Sequence, residues 1–76
     1  MEFEIWRRHA DDGGTQTLVI PASGVLREQA LEVAKQDLGV AELDEAMELV
    51  GTVTADNWDE AEPKIEDLVF HWEHRN

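Results

Sequence analysis

Between Ser23 and Gly39 the apolar residues Leu26, Ala30, Val33, Ala34 and Leu38 recur at steps of three and four, the spacing that lines one face of an α-helix. This stripe constrains the fold more than any other feature, because a helix with one apolar face must bury it against another part of the chain. Ser23 stands where an N-cap belongs and Gly39 where a helix stops. Arg27, Glu28, Glu32, Lys35 and Gln36 mix both signs and read as the solvated outer face. What the stripe packs on is indicated by the preceding residues. Phe3, Ile5 and Arg7 alternate with Glu2, Glu4, Trp6 and Arg8, the period of a half-buried strand. Asp11 to Gly14, DDGG, supplies glycines for the positive φ of a hairpin turn. TQTLVIP, Thr15 to Pro21, follows as a second strand, closed by a proline that has no N–H for the ladder.

After the helix, VAELDEAM reads as a short acidic helical turn or a loop. Residues 47–55 then alternate as a third strand, with Met47, Leu49 and Val53 on one side and Val50, Thr52 and Thr54 on the other. Gly51 inside it marks a bulge or a close approach to the helix. Residues 63–75 fit two descriptions. Trp58, Ala61, Ile65, Leu68, Val69 and Trp72 make a helical stripe, with Pro63 acceptable only in a first turn. As a strand, Leu68, Phe70 and Trp72 alternate with their neighbours, and LVFHW is rich in β-formers. The strand is preferred. The expected fold class is therefore α+β: an antiparallel β-sheet of three to four strands (β-β-α-β-β) with one main helix packed on one face. Residues 1–76 make a single domain, whose length lets folding bury only about 60% of its surface.

Eighteen acids against six bases leave a formal charge of −12, which repels nucleic-acid phosphates and anionic membranes. Basic partners are expected, and no direct nucleic acid. Residues 1–38 carry seven acids and four bases, whereas residues 39–76 carry eleven and two, so the second half is the electrostatic feature of the chain. There is no cysteine, hence no disulfide, thiolate nucleophile or sulfur metal site. MEFEIWRR lacks the basic-then-apolar pattern of a secretion signal, and no apolar run reaches the length of a membrane span. A soluble, cytoplasmic protein is the reading, in a host cell's cytoplasm if phage-encoded.

No catalytic residue, metal or cofactor is expected. His71, Glu73 and His74 lack a fixed third ligand and the HExxH spacing, and read as surface residues. DNWDE, Asp56 to Glu60, has the composition of a calcium loop without its alternating ligands or central glycine. The carboxylates sit in polar runs with no apolar pocket to raise one pKa, and no histidine pattern accompanies Ser23 or the threonines. An enzyme is not expected.

What remains is the surface. TADNWDEAEPKIED, Thr54 to Asp67, sets six carboxylates against Lys64 and places Trp58 among them. Read as the connection between strands three and four, the segment uses Trp58 as an anchor, and its acids face water. Carboxylates about 6.6 Å apart along a strand face, or about 5 to 6 Å apart at helical i, i+4 positions, approach the step of a nucleic-acid backbone. A fixed array can therefore occupy a groove lined by lysine and arginine. The candidate partner-binding residues are Glu42, Asp44, Glu45, Asp56, Trp58, Asp59, Glu60, Glu62, Glu66 and Asp67. The alternative is plain solvation, since acidic runs commonly serve solubility.

TLVIPASGVLREQALEVAKQDLG, a strand running into an alanine-bearing helix that ends in leucine and glycine, resembles the small β-β-α-β-β proteins of phages and mobile elements, which include several anti-CRISPR proteins. The resemblance spans Phe3 to Gly39 and carries no signature residue. It implies a non-enzymatic inhibitor and DNA mimic that binds a CRISPR effector subunit where target DNA would lie. A different class of function is a small structural or regulatory module, antitoxin-like or scaffold, that binds a protein partner or itself through an apolar sheet face of Trp6, Val19, Val50, Val69 and His71. Monomer and homodimer both remain open.

Overall fold

The computed structural model describes residues 1–74. The elements run β1 (Glu2–His9), β2 (Thr15–Pro21), α1 (Gly24–Leu38), a 3-10 turn (Leu43–Glu45), β3 (Glu48–Thr54) and α2 (Trp58–Glu73). The strands form one antiparallel sheet in the order β2-β1-β3, so the fold class is α+β. The hairpin reverses at DDGG, where Gly13 has φ 88° and the Asp12 carboxylate accepts the Gly14 N–H at 2.9 Å.

Trp58–Glu73 is a helix, and not the loop and fourth strand expected; residue 75 of that expected strand lies outside the described residues. The helical stripe wins because the sheet offers it a face. Ala61, Ile65 and Trp72 are buried and Leu68 and Val69 pack beside them, a burial that alternation of Leu68, Phe70 and Trp72 in a strand would not reproduce. Asn57 caps the start of this helix. Pro63 accordingly stands in the second turn, where it lacks the N–H that would bond to the Asp59 carbonyl.

The second helix changes the layering. Ile5 and Val53 pack with Ala61 and Ile65 under α2, whereas Trp6 and Ile20 pack with Ala34, Leu43 and Met47 under α1 and the 3-10 turn. Adjacent residues of a strand point to opposite faces, so the sheet is sandwiched between two helices. β1 is consequently the central strand, buried on both sides at Ile5, Trp6 and Arg7, where a half-buried strand was expected.

α1 ends as read, with Gly39 at φ 69° and the Val40 N–H bonded back to the Lys35 carbonyl at 3.0 Å. Its buried face is rotated from the one the spacing implied. Ala30, Ala34 and Leu38 of the expected stripe face the core, but Leu26 and Val33 are 62% and 59% exposed and Leu31 packs inward in their place. The roll is set by β1: Leu31 packs on the cluster containing Trp6, and Arg27 leaves the solvent to pair with Glu4 at 3.2 Å.

β3 carries a register shift opposite Ile5 and Trp6, with Gly51 facing Ile5 and Leu49 facing Trp6. Val50 is the extra residue. A bulge reverses the facing of everything before it, so Met47 and Leu49 lie on the α1 side while Val53 lies on the α2 side, not all three together as expected. Gly51 lies beside the bulge, and the helix that approaches it is α2 and not the α1 expected, with Leu68 3.4 Å from where a Cβ would stand.

Candidate protein-interaction surface

α2 is held at both ends. At its start the Asn57 Oδ1 accepts the Glu60 N–H at 2.9 Å, and the Glu60 carboxylate reaches back to the Asp56 N–H at 3.3 Å. That backbone N–H, followed by Lys64 at 3.4 Å, holds the Glu60 carboxyl below its ordinary pKa. Lys64 also donates to the Thr54 carbonyl at 2.6 Å, tying the helix to the end of β3. At the other end the Trp72 indole is buried and donates to Glu48. The Arg7 guanidinium lies 5.0 Å from the Trp72 ring centroid and donates to Glu73, Thr15 and Thr17. His9 stacks on Trp72 at 5.0 Å.

The sheet divides the ten candidate residues. Glu42, Asp44 and Glu45 lie at the 3-10 turn on the α1 side, and Asp56, Trp58, Asp59, Glu60, Glu62, Glu66 and Asp67 lie on α2 or just before it. They do not make one array. Glu42 and Glu45 are occupied in a reciprocal cap, with the Glu45 carboxylate accepting the Glu42 N–H at 3.0 Å and the Ala41 N–H at 3.1 Å.

Within α2 the acids separate again. Glu60 pairs with Lys64 at 3.4 Å, and Asp67 lies 3.6 Å from the His71 ring, both one turn along the same flank. Asp59, Glu62 and Glu66 fall at i, i+3 and i+7 on the opposite flank, with no ion pair among the described residues. Neighbouring acids on this row stand about 5 to 6 Å apart. Arg7 pairs instead with Glu73, Arg27 with Glu4, Lys35 with Glu32 and Lys64 with Glu60, and Arg8 lies on the α1 side of the sheet with Leu18, Ala34 and Met47.

Trp58 lies against Phe3 edge-on, with ring centroids 6.4 Å apart, and remains 53% exposed. It opens a groove between β2 and α2 that continues through Val19, Ile65, Glu66 and Val69 to Phe70. Phe70, 56% exposed and stacked on His74 at 4.1 Å, was absent from the sequence-derived surface because it had been placed inside a strand. On a helix its position, four residues after Glu66, would have revealed it.

The apolar sheet face of the alternative reading is not formed. Trp6 is buried under α1, Val19 faces the α2 side, Val50 sits in the bulge, and Val69 and His71 belong to α2 itself. The histidine Nδ1 atoms of His71 and His74 donate to the Asp67 and Phe70 carbonyls, each at 2.8 Å. Among the described residues no group of three or more such side chains is arranged to hold a metal ion, and no helix is long and apolar enough to cross a membrane.

Fold and surface together define a class: a small α+β domain with a three-stranded sheet between two helices, the second of which presents an acidic row edged by exposed aromatic rings. Neither a family model, a curated protein nor a solved structure matches this chain.

Proposed function

We propose that this protein is a non-enzymatic interaction module whose α2 helix engages a basic, nucleic-acid-handling protein and competes with nucleic acid for its groove. The observation that carries the reading is the row Asp59, Glu62 and Glu66, free of ion pairs among the described residues, on a helix seated at both ends and flanked by half-exposed Trp58. Fixed carboxylates at this spacing match a cationic groove at little further ordering cost, and an exposed indole is the kind of side chain that concentrates binding energy. The resemblance of Phe3 to Gly39 to anti-CRISPR proteins, which stops short of the second half because the chain ends in α2 and not in the fourth strand of a β-β-α-β-β layout, offers a CRISPR effector subunit as the partner to test, with this chain as its inhibitor. The test is competition between the protein and duplex DNA for a CRISPR effector at low and high salt. Displacement of DNA at low salt that fades as salt rises, and that D59N/E62Q/E66Q weakens by about tenfold or more, is the expected result. Equal displacement by the neutralised variant would overturn the reading.

A further inference from the structure

β2 is an edge strand, and no strand pairs with its outer side among the described residues. Edges are ordinarily protected by charge or bulges. The other edge has both devices: β3 contains the bulge at Val50 and Glu48, and Lys64 donates to its Thr54 carbonyl. TQTLVIP holds no charged residue, in a chain of formal charge −12, and pairs with β1 in unbroken register, so its one protective feature is Pro21 at its end.

The two grooves bordering this edge differ in chemistry. On the α1 side Leu18 and Ile20 meet Leu26, Ala30 and Val33, a mainly apolar channel that includes the two exposed residues left out of the core. On the α2 side Val19 meets Trp58, Glu66 and Phe70, with Glu62 and Asp59 on the same flank by helical spacing. We infer that β2 accepts an extended segment of a partner protein as a fourth strand, and that this segment alternates apolar residues with lysine or arginine. Strand addition supplies backbone hydrogen bonds, and alternation decides specificity because successive side chains enter opposite grooves. Apolar side chains would lie along Leu26 and Val33, and cationic ones toward Glu66. A second copy of this chain fits poorly: its own β2 brings Thr15, Thr17 and Val19 to the acidic side and places two sets of α2 carboxylates across one groove.

The inference rests on the acidic-flank reading above and adds the form in which the basic partner binds. It is tested with two blocked peptides of about seven residues and identical composition, one alternating lysine and valine and one with the lysines and valines in separate blocks, titrated into the full chain. The alternating peptide is expected to bind about tenfold or more tightly than the block peptide, and to slow amide hydrogen exchange along β2 but not β3. L26K/V33K, at two already exposed positions, should remove that preference while leaving the circular dichroism spectrum unchanged. Equal binding of both peptides, abolished by D59N/E62Q/E66Q, would overturn strand addition while the acidic surface stands. Binding of both peptides unaffected by D59N/E62Q/E66Q would overturn the acidic surface itself. Concentration-dependent protection of β2 without peptide would assign the edge to a second copy and likewise overturn the inference.

Discussion

Glu60 shows how little of a side chain's role is visible in its charge. It is exposed and lies in the most acidic stretch of the chain, yet its carboxylate works inward, on the Asp56 N–H and on Lys64. Its folded pKa is depressed, so its contribution to stability is present above the ordinary carboxylate range and is lost as pH falls through the lowered value. Urea unfolding of the protein and of E60Q across an acid pH series should therefore show a gap between the two that closes on acidification. A gap independent of pH would mean that Glu60 acts through packing alone. Asp59, its neighbour, has the same composition around it and no such partner among the described residues, and the difference arises because Glu60 stands at the third helical position, where a side chain can turn back to the cap. Arg7 is the reverse case. A strand pattern placed it on the face of Phe3 and Ile5, and it is indeed buried there, with its charge met by Glu73 at the end of α2 on the same face. Nothing within either residue's neighbourhood in the chain links positions 7 and 73.

α2 is the element on which the functional reading turns, and it contains one locally unfavourable residue. Pro63 is exposed in the second turn and interrupts the helical hydrogen bonds. P63A should stabilise the protein by about 2 kcal/mol, the usual cost of an interior proline reduced by the entropy the unfolded chain regains. N57A should destabilise it by about 1 kcal/mol through loss of the cap. Chemical denaturation of the two variants checks both signs, and a destabilised P63A would indicate that the proline shapes the approach of Asp59 and Glu62. The segment was misread as a loop and strand for a related reason. Proline weighed against a helix and LVFHW weighed for a strand, both local preferences, while the long-range term, burial of Ala61 and Ile65 against Ile5 and Val53 and of Trp72 beside Arg7 and His9, outweighed them. In α1 the existence and ends of the helix were legible from Gly39 and the three- and four-residue steps. Its roll was not, because Leu26 and Leu31 are equally apolar and only the position of Trp6 and Glu4 on β1 chooses between them.

For the molecule as a whole, a formal charge of −12 on a small domain is a destabilising load in dilute buffer. Raising ionic strength from about 0.01 M to about 0.15 M shortens the screening length from about 30 Å to about 8 Å. Thermal stability should rise as a result, and a gain of about 1 kcal/mol would appear as about 4–8 °C in the midpoint. A midpoint that falls instead would show that the surface ion pairs, Lys64 with Glu60 and Lys35 with Glu32, matter more than the net repulsion. The partition of the acids belongs to this scale as well. Glu42, Asp44 and Glu45 are only about a dozen residues from Asp56 in the chain, but the sheet stands between the two groups. The linear density of charge therefore overstated the size of any one acidic face.

The amino-acid sequence by itself determined the hairpin, the ends of α1, the presence of β3, the α+β class and the excess of negative charge, because each depends on short-range periodicity, turn chemistry or composition. The tertiary structure alone decided that the last segment is a helix, which way α1 rolls, that β1 is covered on both faces, and which carboxylates share a flank. Those outcomes depend on which apolar surfaces meet. Burial is a property of pairs of elements distant in the chain, and no window along it contains both partners.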